Sequence, residues 1–238
     1  MNTRVSWWLL SLSALFCVSL VVSNIIAGKM WAAPFGIVLP AAVWLFPIVY
    51  ILGDVIPEVY GLPVARRVIW LGFALNAFAI LFFLICLRLP HPGFWGNQSS
   101  FQAVLGFTPR LLVASFVGYL VGTNVNAWVL VLIKRLTKSR WLWMRTIGST
   151  ICGETIDSVL FISIAFLGVI PRDQLPLMIL WQAAFKTVYE ILATPLTYLV
   201  VSHLKKREGL VDTKEGLTVP RESLDGTFAL AIGRESTT

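Results

Sequence analysis

The stretch WWLLSLSALFCVSLVVSNIIA, running from Trp7 to Ala27, is the clearest guide to the architecture. It contains no charged side chain, and its 21 residues match the length of about 20 mainly apolar residues that a helix needs to cross a bilayer. A cleaved secretory leader has an apolar core of only about 7–15 residues. This run is longer and leads into polar Asn24 and Lys29, so it reads as a span.

Five more segments of similar character follow, at about 36–56, 68–87, 111–133, 147–170 and 177–204. Barrel strands would be segments of about 10 residues alternating apolar and polar, and no such alternation runs along these segments. The expected fold is an all-α integral membrane protein of six transmembrane helices. Composition agrees: 57% of the 238 residues are hydrophobic, 13% are charged, and the mean hydropathy is +0.80. A soluble domain carries about 25% charged residues. These values exclude a disordered chain, a nucleic-acid-binding domain and almost any cytosolic enzyme.

The net charge of +7 is then a matter of position. With loops numbered alternately from a cytoplasmic N-terminus, one side holds Arg4, Arg66, Arg67, the group from Lys134 to Arg145, and Lys205 to Arg207. That is eleven basic residues, against Lys29, Arg88, Arg110 and Arg172 on the other side. Lys and Arg concentrate in cytoplasmic loops, so both termini are expected in the cytoplasm. The last segment, 205–238, carries six basic and six acidic residues and is polar. It is expected to be a flexible cytoplasmic tail, leaving residues 1–204 as the membrane domain.

Charged residues inside spans are costly and normally face a bundle interior or a watery cavity. Six lie in or beside these spans: Asp54, Glu58, Glu154, Asp157, Lys186 and Glu190. Asp54 and Glu58 are four apart, Glu154 and Asp157 three apart, and each pair shares a helical face. Lys186 and Glu190, four apart and opposite in sign, suit an ion pair along one helix. Asp54 and Glu58 would alternatively sit at the cytoplasmic interface, near the turn marked by Gly61 and Pro63. Asn24, Asn76, Asn124 and Asn126 add polar groups within spans, although each also suits interhelical bonding. Pro40, Pro47 and Pro195 predict kinks, Pro57 a kink or a helix end. Ser19, Ser23 and Ala27 form a row of small residues for close helix approach. Cys17, Cys86 and Cys152 are scattered and expected to be buried thiols, while His91 and His203 lie near span ends. No spacing suggests a metal site or cofactor.

These features separate the function classes. A serine hydrolase needs a nucleophile with a base in reach, and neither histidine lies deep in a span. An aspartyl mechanism would need two acids sharing a site, which Glu154, Asp157 and Asp54 offer without a recognisable protease motif. No repeated pore loop marks a channel, and a purely structural protein would not need six such charges. A small-solute carrier fits best. Its acids would accept hydrogen bonds from a solute rich in N–H groups, or hold a cation, and its aromatics would stack a flat ring.

Several separated motifs, in order, resemble the queuosine precursor transporter family, also called a vitamin uptake transporter family. They are Gly53-Asp54-Val55-Ile56-Pro57-Glu58-Val59-Tyr60-Gly61, followed by Ala65-Arg66-Arg67-Val68-Ile69-Trp70-Leu71-Gly72. Ser23-Asn24 with Lys29 precedes them. Gly153-Glu154-Thr155-Ile156-Asp157-Ser158 with Phe161 and Ile164-Ala165-Phe166, then Lys186, Tyr189-Glu190 and Pro195, follow. Together they run from Ser23 to about Ser202. Pro57 departs from the pattern, where a small polar residue is expected, and the tail after Arg207 is longer than the pattern needs.

The resemblance implies uptake of a 7-deazaguanine (a cyano or aminomethyl precursor, or queuine) for tRNA modification. It also implies a fold similar to the substrate-binding subunits of energy-coupling-factor transporters. Asp54, Glu58, Glu154 and Asp157 would be acceptors, with Asn24, Asn76 and Lys186 as donors and Glu190 balancing Lys186. The partners expected are the small solute and the bilayer of a bacterial inner membrane, with no nucleic acid. A second copy of the chain or a separate energising module is left open. A binding subunit for another vitamin, dependent on such a module, is the alternative, since the chain has no Walker A sequence.

Overall fold

The computed structural model describes residues 6–137, 142–212 and 218–220 and is mostly helical. Helix α1 (Trp7–Ile26) starts at Ser6, whose Oγ accepts from the Leu9 amide at 3.2 Å. A short hairpin follows, β1 (Met30–Ala32) pairing antiparallel with β2 (Val38–Pro40). After a 3-10 turn over Ala41–Trp44 come α2 (Phe46–Tyr60) and α3 (Leu62–Arg88). The chain continues with α4 (Gln98–Leu105), α5 (Thr108–Leu136), α6 (Leu142–Phe166) and α7 (Gln174–Arg207). It closes on β3 (Leu210–Asp212) paired with β4 (Thr218–Pro220).

Four helical stretches are long and apolar enough to cross a membrane: Trp7–Ile26, Leu62–Arg88, Gln98–Ile133 and Ile147–Phe166. The segment expected as a continuous span at 36–56 is built differently. Its first residues complete the hairpin, with Gly36 at φ 75, a conformation open to glycine, providing the reversal. Only from Phe46 is it α-helical, and 15 residues rise about 22 Å, short of the hydrocarbon thickness of about 30 Å. The segment at 177–204 does belong to one helix, α7, of 34 residues, but polar side chains interrupt its apolar run.

Two of the four prolines, Pro40 and Pro47, differ from expectation. Pro40 ends β2, and Pro47 sits in the first turn of α2, where a missing N–H costs no helical bond. Pro57 and Pro195 lie inside helices that continue past them. Gly61, at φ 83, is the sole residue between α2 and α3. Lys205 to Arg207 are the last turn of α7, and β3 pairs with β4, whereas 213–217 and 221–238 lie outside the described residues.

Polar side chains share the interior with apolar ones, and many apolar side chains face outward. Asn24, Asn76, Ser158, Gln182 and Lys186 are buried, while Leu10, Leu71, Phe78 and Leu192 face outward. In a soluble domain the apolar side chains would take the interior and charged ones would almost never be buried. The same outward environment takes two of the three thiols: Cys17 is buried, but Cys86 and Cys152 are exposed, contrary to the sequence reading.

Apolar clusters close the bundle at both ends. At one end Ala27, Leu111, Ala114, Ile162, Phe166 and Met178 pack together, with Phe107 and Met30 against them. Towards the other end are two clusters, one of Phe16, Leu52, Ile56, Ala65 and Val68, the other of Val55, Val59, Val201 and Leu204. Ser19, Ser23 and Ala27 are all buried, so this row of small residues is an intramolecular seam. Arg110 closes the α6 end: its Nε and Nη2 donate to the carbonyls of Ile164 and Leu167, each at 2.6 Å.

Candidate functional site

Between the apolar clusters lies a cavity of about 340 Å³. It is lined from α1, α2, α3, α5, α6 and α7 together. Its size is within the range of small-molecule pockets, about 300–1,000 Å³, and suits a solute of one or two fused rings.

Lys186 organises the polar wall. It is 4% exposed, an expensive place for an ammonium group unless it is paired. Its Nζ lies 3.3 Å from Glu154 Oε2 and makes a close ion pair and hydrogen bond with Asp157 Oδ2. The ring centroids of Phe46 and Tyr50 lie 5.6 and 5.8 Å from the same nitrogen, within cation–π range. Lys186 thus ties α7 to α6 by charge and to α2 by aromatic contact. The ion pair expected along α7, between Lys186 and Glu190, is replaced by this interhelical one. Two carboxylates on one face of α6 outcompete a single carboxylate a helical turn away.

A glycine seam brings α6 into position. A Cβ added at Gly122 would stand 2.8 Å from the Cβ of Asp157 and 3.0 Å from the Gly153 carbonyl oxygen. One added at Gly153 would stand 2.7 Å from the Cβ of Asn126. Gly118 lies against the Oδ1 side of the Asp157 carboxylate. Small residues permit this backbone approach between membrane helices. With Gly118 on one side and Lys186 on the other, the Asp157 carboxylate is fixed in direction.

Of the residues singled out from sequence, Asp54, Glu154, Asp157, Lys186, Glu190 and Asn24 line the cavity together. Glu58 and Asn76 are elsewhere. Glu58, 61% exposed, meets Lys205 Nζ at 2.9 Å near the far end of the bundle. Asn76, 1% exposed, lies one helical turn beyond Gly72, whose added Cβ would meet Leu20 of α1 at 2.7 Å. Both positions share the face of α3 that packs against α1. Asn126 also lines the cavity, whereas Asn124 donates from Nδ2 to the Leu120 carbonyl at 2.7 Å within its own helix.

Two sets of residues escaped the sequence reading. The first is Gln182, which lines the cavity one turn from Lys186. Gln182, Lys186 and Glu190 form a row at spacing four on α7, and that spacing was the available signal. The second is Gly118-x-x-x-Gly122, a small-residue pattern of the kind already noted on α1. Aromatic side chains complete the walls, among them Phe46, Tyr50, Phe73 and Tyr119.

Four carboxylates and one ammonium give the lining a formal excess of negative charge. Glu154 and Asp157 share Lys186, while Asp54 and Glu190 have no ion-pair partner among the described residues. Such a wall can accept several N–H hydrogen bonds or hold a positive group, and its aromatic faces can stack a planar ring.

Comparison with known proteins gives a consistent picture. A "Probable queuosine precursor transporter" of Bacillus subtilis (strain 168) is 28% identical over 159 residues, 66% of this chain and 66% of that protein. A "Queuosine precursor transporter" of Escherichia coli (strain K12) is 31% identical over 121 residues, 51% of this chain and 52% of the relative. A third, "Probable queuosine precursor transporter" of Haemophilus influenzae, is 26% identical over 121 residues, 51% of this chain and 49% of the relative. The matched stretches thus span about half to two thirds of these relatives' length. No solved structure matches the chain. The family described as "Putative vitamin uptake transporter" matches residues 40–200, well over half of the sequence, and the chain belongs to that family.

Proposed function

We propose that this protein imports queuosine precursors, 7-deazaguanines such as the cyano or aminomethyl base or queuine, across a bacterial inner membrane. The observation that carries the reading is the cavity lined by Asp54, Glu154, Asp157, Lys186 and Glu190, in a chain whose relatives are named queuosine precursor transporters. A guanine-like ring presents a ring N–H and an exocyclic NH2 side by side. One carboxylate accepts both in a paired geometry, as it does from a guanidinium. Its exocyclic oxygen needs a donor, which Asn24 or Lys186 supplies. An aminomethyl substituent is cationic and finds a second acid in Asp54 or Glu190.

In this reading α2, lengthened at its start by the 3-10 turn over Ala41–Trp44, and α7 join the four long apolar helices to make six crossings, with both termini in the cytoplasm. The excess of Lys and Arg on the loops of that side supports the orientation. Glu58 and Asn76, away from the cavity, serve the interface and the helix packing rather than the solute.

The test is uptake of a radiolabelled 7-deazaguanine into cells that cannot synthesise it, with thermal stability of each variant measured alongside. Glu154→Gln and Asp157→Asn should each reduce uptake by at least about 10-fold, the scale of one lost charge-assisted hydrogen bond. Wild-type uptake rates in both variants would remove these two residues from the site. Absence of uptake by the wild-type protein would remove the function.

A further inference from the structure

Gln182 lines the cavity with both side-chain amide atoms buried and neither hydrogen-bonded among the described residues. It is 1% exposed, and both Nε2 and Oε1 are without a partner. Buried amides are costly in that state and are normally satisfied. Lys186, the next residue of its row on α7, is turned toward Glu154 and Asp157 on α6 instead. Gln182 is thus positioned on the polar row of α7 with its full hydrogen-bonding capacity unspent.

We propose that Gln182 binds the solute directly, offering one N–H donor and one C=O acceptor to an adjacent acceptor and donor on the edge of a planar heterocycle. This rests on the functional reading above and deepens it by naming a specificity residue. No neighbour fixes which amide atom points which way. The amide therefore turns over to match either order of donor and acceptor, as the lactam edge or the edge formed by N3 and N9–H requires. The acids, which only accept, then discriminate by counting N–H groups, while Gln182 demands that a donor and an acceptor lie side by side. A solute carrying donors alone leaves the Gln182 amide half satisfied and is disfavoured.

The experiment measures binding of 7-aminomethyl-7-deazaguanine, its 6-deoxo analogue and its N9-methyl analogue to the purified full chain in detergent. Wild type is compared with Gln182→Met, close in volume, and Gln182→Glu, which keeps acceptors and loses the donor. Thermal unfolding without solute is recorded for each. Gln182→Met is expected to unfold at or above the wild-type temperature, because it removes two unsatisfied buried polar atoms. It should bind the parent base about 10-fold or more weakly, and Gln182→Glu should also bind it more weakly. For the analogue whose edited edge is the one that Gln182 reads, the gap between wild type and Gln182→Met should close.

A purely structural Gln182 gives a different pattern: Gln182→Met unfolds at a lower temperature while all three solutes keep their wild-type affinities. Equal weakening of all three solutes in the variants likewise overturns a direct contact. Failure of the wild-type protein to bind any of the three overturns the functional reading, and this inference with it. Wild-type binding with unchanged variants overturns only the role of Gln182.

Discussion

Gly122 of α5 and Asp157 of α6 lie so close that a Cβ on the glycine would stand 2.8 Å from the Cβ of the aspartate. The distance explains how a carboxylate comes to rest deep within the bundle. Helix α6 can approach only where α5 offers no side chain, and the approach turns Asp157 toward Lys186 on α7. The seam and the ion pair are two parts of one arrangement.

Substitution at the seam should therefore damage both packing and site. Gly122→Val forces the two helices apart, at a cost of about 1–3 kcal/mol for overpacking. Thermal unfolding in detergent should fall by several degrees, with uptake falling alongside. An unchanged unfolding temperature would mean that α5 and α6 tolerate a wider separation.

Removal of Lys186 leaves Glu154 and Asp157 facing each other without a counter-charge. Breaking one partner out of a buried pair costs about 3–5 kcal/mol, so Lys186→Met should be strongly destabilised. Adding Glu154→Gln and Asp157→Asn removes the stranded charges and should recover most of that stability. Uptake should stay low in the triple variant, because the acceptors are gone. Calorimetry and uptake on the same preparations separate these two effects.

Glu58 offers the opposite case. It lies outside the cavity and meets Lys205 at 2.9 Å in an exposed position. Exposed pairs contribute about 0–1 kcal/mol. Glu58→Gln should leave uptake near the wild-type rate and shift unfolding by no more than a few degrees. A large loss of uptake would place Glu58 in the transport route after all.

Arg110 should matter for stability more than for solute. Its two hydrogen bonds satisfy carbonyls at the end of α6, groups that a helix terminus otherwise leaves unpaired. Arg110→Met should cost about 1–3 kcal/mol, the scale of charged hydrogen bonds. Solute affinity in the folded fraction should be unchanged, which a binding isotherm checks.

Topology gives a test independent of chemistry. A reporter active only in the cytoplasm should work when fused after Thr238. It should be silent when fused at Gly96, between α3 and α4. The reverse pattern would contradict the orientation drawn from the basic residues.

Much of this was legible in the chain itself. Helix α1 reads directly from its charge-free run, because length and apolarity are local properties that a bilayer selects without help from neighbours. The acids at 154 and 157 announce themselves too, since a carboxylate within a span needs a reason. The hairpin at 30–40 was hidden, because its apolar residues match a span in composition. Pro34, Gly36 and Pro40 were the signals that it turned instead. The row of small residues on α1 was readable as a seam, but only packing distinguished an internal seam from a docking face.

Composition alone points to the medium: a chain this apolar belongs in a membrane. The sequence also determined which rare charges had to be accounted for. Their partners follow from how the helices pack. Lys186 could have neutralised Glu190 one turn away, yet it reaches Glu154 and Asp157 on another helix. The glycines of α5 let that helix come close enough, and two negative charges hold an ammonium better than one. Likewise Glu58 and Asp54, four residues apart, part company: one faces Lys205 outside the cavity, the other lines it. Spacing along a helix fixes which side chains share a face, but what that face meets depends on segments far away in the chain.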